Sequence, residues 1–332
     1  MADLNKTASA KSAIQLTGSD IHTSELFQAA LTRGLDKVFK REFEAHKQGI
    51  QFLREESMPG GRETATFQSY RQLGGLIPQN RDADEIPFIT SGDGFSYTAK
   101  TYNFRQGIAI EKTLQEVDDV GVVRGRQADL SRKGVLTIEH SIADLFNRSV
   151  SPTSSPVLCD DGMYLVDEDR PNADPEAGTW SNQEANGVIS PDAIFQAQLN
   201  ARASTGEDGE RYPQAIKFIV CRPQDSKKLW EIRNSDYRPT DAMNVNNYFK
   251  EFGEAHFDII VYDYLTSACL LYGLNSPKSD MNETFLFWRV RPEFKTWESG
   301  DNPDVVNQRI RMAFGLAAGS PRKMWRGQVV TG

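Results

Sequence analysis

Cysteine and histidine are scarce: three and four residues in a chain of 332. Cys159, Cys221 and Cys269 lie far apart, form no CxxC pair and leave an odd count, so a disulfide framework is not expected. They read as reduced and mostly buried. No histidine stands at zinc-site spacing. Glycine-rich phosphate loops are missing, since neither GxGxxG nor GxxxxGK[ST] occurs. No apolar run reaches the 18 or so residues of a membrane-spanning helix. The first twenty residues lack the apolar core of a signal peptide, which makes folding in a cytoplasm the expectation. Excess positive charge is lacking too. The net charge is −8, so the chain as a whole is not a nucleic-acid binder by electrostatics, while a local basic patch remains open.

What the chain does have is concentrated near its end. Phe285-Leu286-Phe287-Trp288-Arg289-Val290-Arg291-Pro292-Glu293-Phe294-Lys295-Thr296-Trp297 is aromatic, β-prone and studded with charge. Leu286, Trp288 and Val290 share one face of a strand; Arg289 and Arg291 share the other. A second such run, Arg309-Ile310-Arg311-Met312-Ala313-Phe314, again alternates arginine with bulk. Basic residues gather beyond it at Arg322, Lys323 and Arg326 around Trp325. Arg and Trp together suit a subunit contact, with bidentate carboxylate pairing and a ring seated in a pocket.

Upstream, residues 1–22 read as an extended arm. Leu26, Phe27, Ala30, Leu31, Leu35, Val38 and Phe39 mark an amphipathic helix from Ser24. Between 57 and 110, glycine pairs punctuate Thr64–Tyr70 and Phe95–Tyr102, stretches of high strand propensity and little continuous apolar content. Such a hairpin is marginal alone and needs a surface to lie on. Ile138, Ile142, Leu145 and Phe146 stripe a helix of more than about 20 residues, roughly 30 Å of rod. Charges such as Arg132, Glu139 and Asp144 are expected on its wet side. A Ser/Pro-rich linker at 149–156 ends it. Asp160 to Gly187 reads as a solvated acidic connection. Ser190-Pro191-Asp192 then opens a helix, Ala215–Cys221 is a buried strand, Arg222–Asp225 a turn into a helix at Ser226–Arg233, and Phe257–Tyr262 a further strand.

Catalytic constellations are weak. His140 stands near Ser141 and Asp144, but on a helix His140 and Asp144 simply pair while Ser141 points elsewhere. A hydrolase using His140 or His256 is the remaining enzymatic alternative. The acids at Asp160-Asp161 and Asp167-Glu168-Asp169 lack the order of a calcium loop. No cofactor, metal or catalytic residue is assigned.

The order of parts — arm, helix, long hairpin, long helix, α/β domain, closing strands — resembles the major capsid protein of tailed bacteriophages, the Hong Kong 97-like fold. Tyr97-Thr98-Ala99-Lys100-Thr101-Tyr102-Asn103-Phe104-Arg105-Gln106-Gly107-Ile108-Ala109-Ile110 leads through Leu114 and Asp118-Asp119 to Leu145-Phe146-Asn147-Arg148. That passage is similar to the hairpin-to-spine passage of head subunits from Mu-like phages. Arg289–Phe294, followed by Gly315-Leu316-Ala317-Ala318-Gly319-Ser320-Pro321, is similar to their closing strands.

The resemblance implies an α+β fold in four parts. These are an N-terminal arm and first helix (1–56), an extended hairpin or E-loop (57–112), a P-domain with a spine helix (113–150 and 284–332), and an α/β A-domain (151–283). It implies hexamers and pentamers in an icosahedral shell around double-stranded DNA in a virion assembled in the host cytoplasm. Scaffolding, portal and decoration proteins are the expected partners, with no membrane. The arm is short beside the cleaved scaffolding segment of some relatives, which implies a separate scaffold or assembly without such cleavage. An encapsulin-type compartment shares the fold and stands as the alternative. Candidate subunit contacts are Phe67, Tyr70, Phe95 and Tyr97 on the hairpin, Arg124 and Arg126 on the long helix, Arg289, Arg291, Arg309 and Arg311 on the closing strands, and Arg322 and Trp325 at the end.

Overall fold

The computed structural model describes residues 37, 40–42, 44–70, 93–111, 122–149, 157–172, 178–206, 211–236, 246–251, 256–274, 283–300, 304–323 and 325–330. The expected arm lies outside them, as does the first helix apart from Lys37. In chain order the strands are β1 (Arg54–Ser57), β2 (Thr64–Tyr70), β3 (Asp93–Lys100), β4 (Tyr102–Glu111), β5 (Arg170–Pro171), β6 (Thr179–Trp180), β7 (Gln183–Gly187), β8 (Phe218–Cys221), β9 (Asp258–Val261), β10 (Cys269–Gly273), β11 (Thr284–Glu298), β12 (Val305–Ala318) and β13 (Trp325–Val330). The main helices are α1 (Val122–Asn147), α2 (Pro191–Arg202) and α3 (Pro223–Asn234), with the single turn α4 at Tyr248–Glu251.

Two sheets organise the molecule. The first is four-stranded, in the order β1-β11-β12-β4; the second is five-stranded, in the order β7-β13-β10-β8-β9. β2 and β3 form a separate antiparallel hairpin, with Thr64 opposite Lys100 and Tyr70 opposite Asp93. β11 and β12 are the long closing strands expected from the arginine-studded runs, and they pair antiparallel along most of their length.

The spine helix α1 spans 26 residues. Ile138, Ile142 and Phe146 on it are fully buried with Leu286, Trp288, Met312 and Phe314 of the first sheet and Phe218, Val220 and Leu271 of the second. One core therefore joins helix and both sheets. The far face of the second sheet buries Ile219, Cys221, Leu270 and Tyr272 under α2 and α3. Ser190 caps α2 as expected, its hydroxyl accepting from Ala193 N at 3.2 Å. α3 starts earlier than expected, because Pro223 occupies its first turn, where no amide is needed.

Three expectations are corrected. Glu139 is fully buried, not on a wet face. Its carboxylate accepts from Gln48 N at 2.9 Å, Gly49 N at 2.8 Å and the Tyr262 hydroxyl at 3.1 Å. Donors from two distant segments satisfy the charge, which makes the burial tolerable. A side chain at Gly49 would collide with Ile142, Glu139 and Tyr262, so glycine alone lets the backbone reach the carboxylate.

The acidic connection is not simply solvated. Arg170 is fully buried there, its Nε donating to Asp161 Oδ2 at 3.1 Å and Nη1 to the Tyr164 carbonyl at 2.6 Å. Burial pushes the Asp161 carboxyl up from its ordinary range, against the pull of Arg170. Residues 325–330, expected among the P-domain strands, belong instead to the second sheet as β13, between β7 and β10.

The three cysteines are buried and unpaired, and burial pushes each thiol up to about 12. Those thiols are structural rather than reactive at neutral pH.

Candidate subunit interface

The hairpin does have a surface to lie on, and at its root that surface is the protomer's own first sheet. Phe67 stacks on Phe287 at 5.1 Å and on Tyr97 at 5.2 Å; Tyr97 stacks on Phe285 at 5.9 Å. β11 is thus covered on both faces near its start. Leu286 and Trp288 enter the main core, while Phe285 and Phe287 pack with Met58, Ala99 and Ala317 under the hairpin root. The aromatic run of β11 serves two clusters. At the hairpin's end, Thr101 is fully buried and donates twice to the Glu63 carbonyl, from its amide at 2.9 Å and its hydroxyl at 3.1 Å. The Lys100 carbonyl presses on Gly315 so closely that any side chain there would strike it. Burial pushes the Tyr97 phenol above its ordinary range, with nearby Glu283 adding to the shift. Beside Tyr97, a cleft of about 650 Å³ opens between the hairpin root, Ser141 and Asp144 of α1, and residues 157–162.

The other candidates divide. Phe95 is half-buried on β3 and Arg126 is exposed on α1. Tyr70 closes β2 opposite Asp93, and Arg124 stands in the first turn of α1; their side chains lie outside the described residues. Arg289 donates through Nε to the Gly61 carbonyl at 3.1 Å. Arg291 lies 3.6 Å from Glu55 and 5.9 Å from the Trp288 ring, with its side chain 67% exposed. Arg311 meets Glu293 at 3.3 Å, and Arg309 lies over Trp297 at 5.6 Å.

Trp325 turns inward and is corrected, while Arg322, half-buried, is engaged by its own protomer. Trp325 is buried in the main core, edge-on to Phe146 and Phe218, and donates to the Thr284 hydroxyl at 2.9 Å. Arg322 donates to the Thr205 carbonyl and to Asn172 Oδ1, and stacks over Trp180 at 4.2 Å. Both are claimed by their own protomer because the chain end returns into the second sheet. Sequence reasoning missed the companions of Arg309 and Arg311. Register places Arg105 of β4 opposite Arg311, and Lys295 of β11 opposite Arg309. Alternation predicted the shared face on one strand, but not which strands would flank it.

Among the described residues, no catalytic arrangement forms at His140 or His256. Asp144 pairs with Arg148 at 2.8 Å rather than with His140, whose ring meets Tyr264 edge-on at 5.3 Å. The Ser141 hydroxyl donates to the Thr137 carbonyl at 2.8 Å. His256 is 3.0 Å from an Arg233 nitrogen. Among the described residues, the hydrolase alternative therefore finds no nucleophile aligned with a base at either position. Among the described residues, no group of three or more His, Cys, Asp or Glu is placed to hold a metal ion.

No family model and no curated protein matches the sequence. Solved structures do match its shape. A capsid protein of the cyanophage P-SCSP1u superposes with a TM-score of 0.52 at 8% identity, over 84% of this chain and 86% of that one. The virus-like particle protein of Pyrococcus furiosus gives a TM-score of 0.50 at 10% identity, over 91% of this chain and 99% of that one. At such identities the likeness is one of fold. The chain has the α+β Hong Kong 97-like fold of tailed-phage capsid proteins.

Proposed function

We propose that this chain is the major capsid subunit of a tailed phage, a non-enzymatic building block of hexamers and pentamers that close an icosahedral shell around double-stranded DNA. The observation that carries this reading is the fold shared with the cyanophage P-SCSP1u capsid over 84% of the chain. The root of the β2–β3 hairpin packs on the protomer's own first sheet through Phe67 and Tyr97, and in this reading the hairpin also meets a neighbour. Contacts of that kind offset their ordering cost only in the assembly. The net charge of −8 suits a wall that holds DNA without adhering to it.

Within this reading, the outward candidates Phe95, Arg126, Arg289, Arg291, Arg309 and Arg311 contact sister subunits, with Tyr70 and Arg124 joining them by position. The A-domain sits at the axis of each capsomer, and it takes in β13 as well as residues 151–283. Scaffolding, portal and decoration proteins are the partners, in a virion assembled in the host cytoplasm. The finer kinship with Mu-like phages rests on the passage from Tyr97 to Arg148 and on the closing strands.

Negative-stain electron microscopy of the purified chain is the direct test, paired with nucleic-acid analysis of particles from the infected host. Closed shells, with DNA in the particles from the host, are expected. A monodisperse compact monomer at high concentration would overturn the reading. The likeness to the Pyrococcus furiosus virus-like particle protein favours a second reading, an encapsulin-type shell with protein cargo. Shells that enclose protein and never DNA would select it.

A further inference from the structure

Among the described residues, Trp230 is the most exposed large apolar side chain, at 62%. Leu229 and Ile232 on the same helix, α3, turn into the core against the second sheet, which leaves Trp230 on the outer side. Its carbonyl accepts from Asn234 Nδ2 at 3.1 Å, and its ring meets no other aromatic ring or cation among the described residues. Lys227 and Lys228 stand just before it, both exposed, with Lys227 paired to Glu231 at 3.8 Å. A lone exposed ring says little by itself. A pocket over the same sheet supplies its counterpart.

That pocket has a volume of about 300 Å³ and lies where the start of α2 meets α4. Pro191, Phe195, Tyr248 and Phe249 line it, and Trp230 does not. Phe195 and Tyr248 meet edge-on at 5.3 Å, and Tyr248 and Phe249 edge-on at 5.6 Å. Phe195 and Tyr248 are themselves exposed, so the pocket opens outward. Angled ring walls of this kind receive a further ring edge-on or offset. The pocket is preformed, because Asn247 beneath it donates to the Ile232 carbonyl at 2.6 Å and the Ser235 carbonyl at 2.9 Å. The exposed acids Asp192 and Glu251 stand at its rim, opposite in sign to Lys227 and Lys228 beside the tryptophan.

Knob and pocket belong to helices at opposite edges of the sheet. α2 is tied to β7, where Asn200 Nδ2 donates to Glu184 Oε2 at 2.6 Å. α3 is tied to β9, where Arg233 lies 3.6 Å from Asp258. β7 and β9 are the two edge strands of the second sheet. An apolar knob on one side and a matching pocket on the other make a head-to-tail contact, which closes a ring when the rotation per copy divides a full turn.

We infer that Trp230 of each copy seats in the pocket between α2 and α4 of the next copy, forming a head-to-tail contact around the capsomer. The inference rests on the capsid reading and deepens it by naming the anchor and its seat. Burying an exposed indole among rings supplies the energy, as aromatic anchors do at the centre of interfaces. The lysines beside the knob and the acids at the pocket rim set the approach and reject wrong partners.

Two experiments on the full-length chain test it. Trp230→Ala removes an exposed side chain and should leave subunit circular dichroism and melting temperature unchanged. The protein concentration needed for capsomers and shells should rise about tenfold, read by sedimentation and electron microscopy. The second experiment leaves knob and pocket intact and places single thiols on the two rims, as K227C and D192C. The native cysteines are buried and stay unlabelled. In a co-assembled mixture, a short bismaleimide should join a K227C copy to a D192C copy and neither variant to itself. Linking of K227C to itself would mark a two-fold contact and overturn the inference, as would the lack of any mixed link. Wild-type assembly by Trp230→Ala would overturn it too, including shells of normal yield that hold less DNA, which would assign the ring to nucleic acid. If the unaltered chain forms no capsomers or shells, the capsid reading fails first; if it does and Trp230→Ala matches it, only this inference fails.

Discussion

Glu139 shows how a single residue can tie distant segments together. It stands on the spine helix and collects two backbone amides from residues 48–49 and a hydroxyl from Tyr262, 123 positions away. Hydrogen bonds to a buried charge are worth more than neutral ones, and a buried amide left without an acceptor is costly. Glu139→Gln keeps the shape but turns one oxygen into a donor that faces donors. It should lower subunit stability by about 2–4 kcal/mol, read as an earlier urea midpoint with an unchanged slope. Nothing in the local sequence distinguishes Glu139 from the solvated acids around it. Its role is legible only when Gly49 and Tyr262 are seen beside it.

At the scale of elements, hydrophobic alternation read well and pairing partners read poorly. β11, β12, β8, β9, α1 and α2 follow from periodicity, capping and β-branched or aromatic runs. Local sequence does not mark β10 or β13, and it places β4 within the hairpin although β4 pairs with β12. The reason is physical. A strand takes its place from long-range hydrogen bonds that leave no local mark, and Trp325 reads the same at a surface as in a core. The hairpin root rests on β11. Phe287→Ala removes the ring beneath Phe67 and empties part of that small cluster. It should cost about 3–5 kcal/mol of subunit stability. It should also raise hydrogen exchange in β2 and β3 above that in β8 and β10, and equal protection in both regions would show that the root is held by something else.

At the scale of the whole molecule, one core joins α1 to both sheets, and the second sheet carries another core under α2 and α3. The protomer therefore holds two cores of its own, and the proposed assembly role of its hairpin and leading segment can be tested apart from folding. Deleting residues 2–20 should leave the subunit's melting temperature within about 1 °C, since surface and terminal changes cost little. Shell yield should fall sharply in the same preparation. Full shell yield from the shortened chain would remove the arm from the assembly mechanism.

The sequence by itself determined the order of parts, the long spine helix, the two closing strands and the lack of catalytic or metal-binding motifs. Those features depend on neighbours within a few residues, through side-chain periodicity, capping and turn chemistry. Tertiary structure alone decided that Trp325 and Arg322 belong to the protomer, that Glu139 is buried, and that Arg105 and Lys295 stand opposite Arg311 and Arg309. Each of these depends on strands and loops brought together from far along the chain, where register, not composition, chooses which side chains meet.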